Sequence, residues 1–280
     1  MLIALAGSIV LAATAPTPSA FAQVAAAEQA FAAASLETGY HAAFVAYFAE
    51  DGVVFTPVPT NGRKAHDGKP RAAATLSWGP VWVAAPASED LAFSSGPWEY
   101  KAAGDKPPAP GTGWFFSAWR KQPDGRWLVE ADLGIQAPFA YVTPDGVDDG
   151  LAGSRTPHPL RPGDAAAARA KIATAERALA RSGAAGLGPA VSAVADASIR
   201  VYRNGGVPAA GTATAPLLAA DTRKATCVAA RVTAAGTGDL GYAYGTCTPE
   251  AGGDAKPFGY LRVWKRQADG SWRVFVDVTP

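Results

Sequence analysis

The sequence has few of the side chains that bind metals, with two cysteines, three histidines and a single methionine in 280 residues. The histidines, His41, His66 and His158, lie far apart and show no spacing typical of a metal site. Charge is also sparse: charged residues make up 18% of the chain, and the formal net charge is +1 without a basic block. A nucleic-acid interface needs clustered Lys and Arg. The sequence therefore predicts no metal, no cofactor and no nucleic-acid partner.

A single long apolar run occurs, at the N-terminus, where residues 2–15 carry no charge. Pro16 and Pro18 break the run, and Ala20-Phe21-Ala22 then supplies the small-x-small pattern of a cleavage site. The run is too short to span a membrane stably, and a buried N-terminal helix is the less favoured alternative because prolines break helices. Residues 1–22 are therefore predicted to be a secretory signal peptide, although no Lys or Arg precedes the run. We expect the mature protein to be periplasmic or secreted and not to associate with a membrane.

One hairpin motif occurs twice at a constant offset (264 − 119 = 145). The first copy, Trp-Arg-Lys-Gln-Pro-Asp-Gly-Arg-Trp, begins at Trp119, and the second, Trp-Lys-Arg-Gln-Ala-Asp-Gly-Ser-Trp, begins at Trp264. Aromatic residues suit a half-buried strand, and Asp-Gly supplies the positive φ of a tight turn. A repeat of this length indicates two copies of one domain, which agrees with a prior of about 150 residues per domain. The predicted order is repeat 1 at 23–135, a Pro/Gly-rich linker at 136–163 and repeat 2 at 164–280.

Each repeat begins with helix patterns and continues with strand patterns, an order that predicts the α+β class. In repeat 1 we expect helices at 24–34 and 38–49, a short helix at 70–76, and strands from there to residue 135. Repeat 2 repeats the pattern, with predicted helices at 165–181 and 189–195. The linker contains three acidic residues at 145, 148 and 149. They lack the ligand spacing of a calcium loop, so a solvated turn is the favoured interpretation.

Three stretches of repeat 1 resemble the nuclear transport factor 2-like superfamily, and within it the SnoaL-like exported bacterial domains. They are Phe-Ala-Glu-Asp-Gly-Val-Val-Phe at 48–55, Asp-Leu-Ala-Phe-Ser-Ser-Gly-Pro-Trp-Glu-Tyr at 90–100, and the hairpin at 119–127. The resemblance implies two cone-shaped domains, each a curved antiparallel sheet wrapped around N-terminal helices, with a pocket at the wide end. It also implies that the two cones pair through their sheets, as an intramolecular pseudo-dimer. The superfamily includes ketosteroid isomerase, scytalone dehydratase, polyketide cyclases and plain binding modules, so the fold does not decide the function.

The residues of the isomerase site are not present. Its general base, an Asp before a proline, corresponds to Thr56, and its oxyanion-binding Asp falls near Ser117. Neither Thr nor Ser can exchange a proton near neutral pH as a tuned carboxyl can. The remaining weak candidates for catalysis are Asp132 and His41. Because Asp277 occupies the position of Asp132 in repeat 2, a fold-keeping hydrogen bond is favoured for this Asp. His41 lies on an apolar helix face, where a hydrogen-bonded imidazole in the core or at its edge is favoured over a pocket residue.

Large aromatic residues are concentrated in repeat 1, which favours that repeat as the place of any ligand pocket. The predicted lining residues are Tyr47, Phe55, Trp78, Trp82, Trp98 and Trp119. Rings that simply fill the core explain the pattern equally well. The face of the hairpin that lines the pocket stays open, because one residue of turn length exchanges the two faces.

The function predicted from the sequence is a binding or structural role, with a small apolar molecule as the candidate ligand of repeat 1. One alternative is a cofactor-free enzyme of the isomerase, dehydratase or cyclase type with its site in repeat 1. A second alternative is an assembly module whose two cones are both filled by side chains. A titratable pair inside the pocket would favour the enzyme.

The two cysteines lie at equal distances from residue 237, the centre of a predicted turn at residues 235–238 (227 + 247 = 2 × 237). Cys227 and Cys247 are then direct neighbours on paired strands, close enough to be bridged if their side chains share a face. Export would supply the oxidising environment. We therefore predict a disulfide between them.

Overall fold

A computed structural model of the chain describes residues 18–104, 108–152, 164–183, 186–250 and 256–280. Helices precede the long strands in both repeats, and the α+β prediction is confirmed. The helices of repeat 1 are α1 (Ala20–Thr38), α2 (Tyr40–Tyr47) and α3 (Gly62–His66). Those of repeat 2 are α4 (Asp164–Ser182), α5 (Leu187–Ala193) and α6 (Ala215–Ala220), the last preceded by a 3-10 turn at Gly211–Thr214.

The strands form two sheets with matching topology. Repeat 1 contributes β1 (Phe48–Phe55), β2 (Pro59–Asn61), β3 (Thr75–Trp78), β4 (Trp82–Ala84), β5 (Leu91–Lys101), β6 (Gly111–Lys121), β7 (Trp127–Gln136) and β8 (Asp148–Asp149). Repeat 2 contributes β9 (Ala195–Tyr202), β10 (Ala209–Ala210), β11 (Ala225–Ala234), β12 (Leu240–Pro249), β13 (Phe258–Arg266) and β14 (Trp272–Val278). The first sheet runs β2-β1-β7-β6-β5-β4-β8 with β3 also paired to β5, and the second runs β10-β9-β14-β13-β12-β11. In both, the first long strand lies parallel to the last, and the hairpins between are antiparallel. The resemblance implied an antiparallel sheet with N-terminal helices in each repeat; the two separate sheets are present, and each is mixed because it contains parallel pairing.

Helix boundaries in repeat 1 differ from the prediction in two places. Helix α2 ends at Tyr47, because Phe48 already pairs with Val129 of β7 and its side chain is fully buried in the core. The helix predicted at 70–76 is wrong: this stretch ends in strand β3, which pairs with β5, and the short helix α3 lies earlier, after Asn61. Long-range strand pairing overrides local helix propensity in both cases.

The first turn of α1 overlaps the predicted signal peptide. Ser19 caps the helix by accepting a hydrogen bond from the Ala22 backbone N–H, and Gly39 ends it at φ 92°. The Ala20 side chain is buried, and its N–H donates to Glu89 Oε1 at 3.2 Å. Cleavage after Ala22 would therefore remove part of this turn. The predicted signal core at residues 2–15 lies outside the described residues, and no helix among the described residues is both long and apolar enough to cross a membrane.

The two sheets face each other across one apolar core. Four ring pairs of the described residues cross between the repeats, with centroids 6.0 Å apart for Trp82–Phe275, 5.9 Å for Phe93–Tyr242 and for Phe55–Tyr244, and 5.6 Å for Phe116–Tyr202. Two buried hydroxyls add hydrogen bonds: Tyr202 Oη donates to Ser95 Oγ at 2.8 Å, and Tyr242 Oη donates to Glu130 Oε2 at 2.7 Å. The repeats therefore share buried surface through their sheets, while the other face of each sheet covers its own helices.

A β-bulge in the last hairpin decides which side chains face the helices. The pairing of β6 with β7 shifts at Glu130, so that Ala118 pairs with Ala131 but Trp119 pairs with Val129. Before the bulge the odd-numbered side chain of Val129 points to the helices; after it, odd-numbered Ala131 points to the second sheet. Asp132 therefore lies on the helix side. Repeat 2 has the same shift at Phe275, the position equivalent to Glu130.

The middle of the predicted linker is part of the first sheet. Asp148 and Asp149 form β8, which lies parallel to Trp82 and Val83 of β4, and Leu151 is buried in the core between the sheets. The prediction of a solvated turn is therefore wrong for Asp148 and Asp149, which belong to a strand. Residues 153–163 of the predicted linker lie outside the described residues.

The predicted disulfide is confirmed. Cys227 of β11 and Cys247 of β12 are direct cross-strand partners, and their sulfurs are bonded. Both side chains are buried beside Tyr260 and Leu187, so the bond lies within the packing of repeat 2. Closing a loop of this size stabilises a fold by about 3 kcal/mol in the chain-entropy model.

Candidate functional site

Repeat 1 contains a cavity of about 510 Å³ between its helices and the inner face of its sheet. Seven aromatic side chains line it: Phe31, Phe44, Phe55, Trp78, Trp98, Tyr100 and Phe115. The polar lining consists mainly of Thr56, Asp132 and Gln136. Among the described residues that line the cavity, none is Lys, Arg or His. The site is therefore an apolar pocket with one carboxyl.

Glycines on the neighbouring strands make room for the Trp98 ring. Trp98 of β5 pairs with Gly113 of β6, where a Cβ atom would lie only 2.4 Å from the indole. A Cβ at Gly134 of β7 would lie at an ordinary contact distance, 3.4 Å from Trp98 Nε1. The indole thus lies flat across two strands and forms part of the cavity wall. A side chain at 113 would displace it.

Within the described residues, Asp132 accepts one side-chain hydrogen bond, and this bond is short. It lies opposite Ser117 in the pairing of β7 with β6, and Ser117 Oγ donates to Asp132 Oδ2 at 2.7 Å. Burial raises the pKa of the Asp132 carboxyl to about 6, although the hydrogen bond from Ser117 acts in the opposite direction. Asp132 therefore changes charge close to neutral pH while it faces an apolar space.

The equivalent carboxyl of repeat 2 lies among positive charges instead. Asp277 corresponds to Asp132, and Arg262 occupies the position of Ser117. Arg262 Nε donates to Asp277 Oδ1 at 2.6 Å, and Arg203 Nη2 donates to Asp277 Oδ2 at 2.6 Å. Burial alone would raise the pKa of Asp277, but the two guanidinium groups outweigh it and hold this pKa below its usual value. The shared Asp thus forms buried ion pairs in repeat 2, whereas in repeat 1 it borders a cavity.

The Arg262 side chain also occupies space in repeat 2 that corresponds to the cavity of repeat 1. Its guanidinium lies 4.3 Å from the ring centroid of Tyr260, and Nη1 donates to Glu176 Oε2 at 3.2 Å. The hollow beside it, bordered by Leu179 and Cys227, measures only about 10 Å³. In the described part of the chain, the apolar cavity with a carboxyl thus lies in repeat 1.

A buried glutamate on the first helix of each repeat was missed by the sequence analysis. Glu28 of α1 accepts hydrogen bonds from Trp78 Nε1 at 2.7 Å, Ser94 Oγ at 2.6 Å and Trp119 Nε1 at 3.2 Å. Burial raises its pKa to about 7, although these hydrogen bonds lower it. In repeat 2, Glu176 of α4 accepts from Trp264 Nε1 at 2.6 Å. The hairpin Trp of each repeat is therefore tied to the first helix.

Three of the six predicted aromatic lining residues, Phe55, Trp78 and Trp98, meet at the cavity together with Asp132. Two others lie behind its wall: Tyr47 stacks on Phe31 with centroids 4.9 Å apart, and Trp119 is fully buried in the core between helices and sheet.

Trp82 requires a correction, because it lies on the opposite face of the sheet. Its ring packs against Phe275 of repeat 2, and the Arg200 guanidinium lies 5.1 Å from the ring centroid. Trp82 is thus part of the contact between the repeats and not part of the cavity lining.

His41 also lies away from the cavity. Its Nδ1 is 2.7 Å from Nδ1 of His66, in an open cleft of about 600 Å³ that Arg63 and Lys69 also border. Burial, the neighbouring imidazole and Lys69 lower the pKa of His66 to about 4, and burial and Lys69 also lower the pKa of His41. Among the described residues, no three His, Cys, Asp or Glu side chains come together as a metal site.

No protein-family model matches the sequence, and no curated protein matches it. Among solved structures, the chain is similar to a ketosteroid isomerase-like protein from Erwinia carotovora atroseptica (17% identity, 41% of this chain and 95% of that chain, TM-score 0.33). It is similar to an NTF2-like protein of unknown function from Pseudomonas putida (20% identity, 43% and 88%, TM-score 0.34). It is also similar to the association domain of C. elegans CaMKII (14% identity, 40% and 91%, TM-score 0.31).

Proposed function

We propose that the chain is a binding protein whose repeat 1 holds a small, largely apolar molecule. The observation that carries the proposal is the cavity of about 510 Å³, walled by aromatic rings and provided with one carboxyl, Asp132. Ligand sites are typically apolar hollows of roughly 300–1,000 Å³ with a few polar groups that orient the guest. A molecule with a rigid apolar body and one polar end fits this arrangement.

Repeat 2 acts as the built-in partner of repeat 1 in this proposal, so that the chain is an intramolecular pseudo-dimer. The ring contacts between the sheets, such as Phe93 with Tyr242, support the role, because they cover the outer face of the strands that carry the cavity wall. The ion pairs around Arg262 fill the second cone and make it a scaffold. Export to the periplasm or medium is part of the proposal, and the Cys227–Cys247 disulfide supports it.

A neutral probe tests the binding role. We expect 1-adamantylmethanol, which is rigid and absorbs no near-ultraviolet light, to shift the tryptophan emission of the protein, because Trp78 and Trp98 line the cavity. A Gly134→Leu variant should bind the probe at least about tenfold more weakly, because the added side chain occupies the cavity.

The matched control is Gly206→Leu, at a glycine of repeat 2 with open space around it. Circular dichroism should show both variants folded, and the control should bind like the wild type. Equal binding by Gly134→Leu, or no binding by the wild type across neutral, cationic and anionic adamantyl probes, would contradict the proposal.

The second candidate is a cofactor-free enzyme of the isomerase, dehydratase or cyclase type. The pKa of Asp132, about 6, favours it, because a general acid or base works best when its pKa lies near the operating pH. Against it, the hydrogen-bond partner of Asp132 is the Ser117 hydroxyl, and no second titratable group among the described residues hydrogen-bonds to this carboxyl. The geometry thus favours binding.

Proton exchange separates the two candidates. With 1-adamantyl methyl ketone in D₂O, we expect the methyl protons to exchange no faster with protein than in buffer, as followed by NMR. Exchange that the protein accelerates and that the Asp132→Asn variant loses would instead make Asp132 a catalytic base.

A further inference from the structure

We infer that the molecule bound in repeat 1 carries a positively charged group, such as an alkylammonium or guanidinium, which pairs with Asp132. The inference rests on the proposed binding function and names the chemical class of the ligand. Three observations support it: the counterpart of the site in repeat 2, the charges around Asp132, and the aromatic ring beside it.

Repeat 2 contains the same carboxyl with its cation in place. Arg262 extends from β13 at the position of Ser117, and its Nε donates to Asp277 Oδ1 at 2.6 Å. In repeat 1 the hydroxyl of Ser117 replaces this long side chain, so both the volume and the positive charge of a guanidinium are missing from the corresponding space. A ligand cation that approaches Asp132 from the cavity would restore the pairing.

The groups around Asp132 favour a cation over other ligands. Among the described residues, Glu28 of α1 interacts electrostatically with Asp132, Tyr100 of β5 lines the same cavity, and neither is positive. The pKa of Asp132 is raised because burial is not offset by a positive neighbour, and a cation would offset it. A carboxylate ligand would be repelled, and a neutral hydroxyl would offer one ordinary hydrogen bond, which is roughly half as strong as a charge-assisted one.

The aromatic ring of Phe115 provides a second favourable contact for a cation in the cavity. In repeat 2 the Arg262 guanidinium lies 4.3 Å from the ring centroid of Tyr260. The equivalent position in repeat 1 is Phe115, whose ring lines the cavity. Aromatic faces attract cations, and more strongly where water is excluded. Repeat 1 therefore keeps the ring and the carboxyl that hold the Arg262 guanidinium in repeat 2, whereas neither of the two arginines that pair with Asp277 has a positively charged counterpart among the described residues that line the cavity.

Three probes of one shape test the inference by isothermal titration calorimetry: 1-adamantylmethylamine, 1-adamantylmethanol and adamantane-1-carboxylate. Near neutral pH we expect the amine to bind about tenfold tighter than the alcohol, and the carboxylate to bind weakest. The preference for the amine should decline as the pH falls below 6, because Asp132 becomes protonated. An alkylamine stays protonated over this range, with a pKa of about 10.

Two variants link the preference to Asp132. Asp132→Asn keeps the shape of the side chain and should bind amine and alcohol equally. Ser117→Arg should supply an internal cation, as Arg262 does in repeat 2, and abolish amine binding. Asp124→Asn, in the exposed turn of the same hairpin, is the control and should keep the wild-type preference. Should Ser117→Arg fail to fold, the comparison of Asp132→Asn with Asp124→Asn decides.

The outcomes separate this inference from the proposed function. Equal affinity for amine and alcohol, or tighter binding of the carboxylate, would overturn the cationic ligand and leave the binding role intact. An amine preference that survives in Asp132→Asn would also overturn it. Failure of all three probes to bind would overturn both the inference and the proposed function.

Discussion

Replacing Arg262 with methionine is expected to lower the free energy of unfolding by about 3–5 kcal/mol, the cost of breaking a buried ion pair by removing one partner. Arg262 is 2% exposed and pairs with both Asp277 and Glu176, which are buried as well. Without Arg262, the buried Glu176 carboxylate loses its ion-pair partner, and Asp277 keeps only its pair with Arg203. Urea denaturation followed by circular dichroism measures the change.

Arg266→Met is the matched control for this variant. Arg266 lies on the same strand, β13, but its side chain is exposed, so the change should stay within about 0.5 kcal/mol. Adding Asp277→Asn to Arg262→Met should recover part of the loss, because it removes a buried charge that has lost one of its two cations. Equal stability of the Arg262 and Arg266 variants would show that the ion pairs do not hold repeat 2 together.

Raising the pH from 4.5 to about 8 should destabilise the protein by about 3 kcal/mol through Glu28 alone, since each unit of pKa shift corresponds to about 1.4 kcal/mol. The pKa of Glu28 is about 7 in the folded protein against an ordinary value of 4.5. Between these values the folded state keeps a proton that the unfolded state releases. The stabilisation is therefore complete below pH 4.5 and is lost as the pH rises through 7.

Glu28→Gln isolates this effect. The amide oxygen can replace either Oε1, which accepts from Trp78, or Oε2, which accepts from Ser94 and Trp119, and the side chain does not titrate. Denaturation midpoints across the pH range should fall less steeply for the variant than for the wild type. The raised pKa of Asp132 acts in the same direction, so Asp132→Asn is measured beside it. If the denaturation midpoints of the wild type and of Glu28→Gln changed with pH in parallel, the pH dependence would not come from Glu28.

The parts of the fold that could be predicted are those that depend on local sequence patterns. The hairpin with its Asp-Gly turn occurs in both repeats, and the Cys227–Cys247 pairing follows from distance to a turn. The early end of α2 and the strand at Thr75–Trp78 depend on pairing with β7 and β5, far along the chain, which local propensity does not contain.

The candidate site was only partly predictable, for a geometric reason. Large rings in repeat 1 favoured that repeat as the place of any pocket, and Trp78 and Trp98 line the cavity. Whether a given strand residue faces the cavity depends on one-residue shifts, and the bulge at Glu130 reverses the faces without a clear mark in the hydrophobic pattern. Glu28 carried a signal that was missed: it and Glu176 are isolated acidic residues at matching places in Ala-rich helices.

Because both cones belong to one chain, the pair is free of the symmetry that a homodimer imposes. In a two-fold dimer every substitution appears twice, so an arginine that strengthened one cone would also fill the other. Here Arg262 and Ser117 can differ at one structural position, and the two halves can specialise after a gene duplication. The contact between the two sheets is also independent of protein concentration, because both halves belong to one chain.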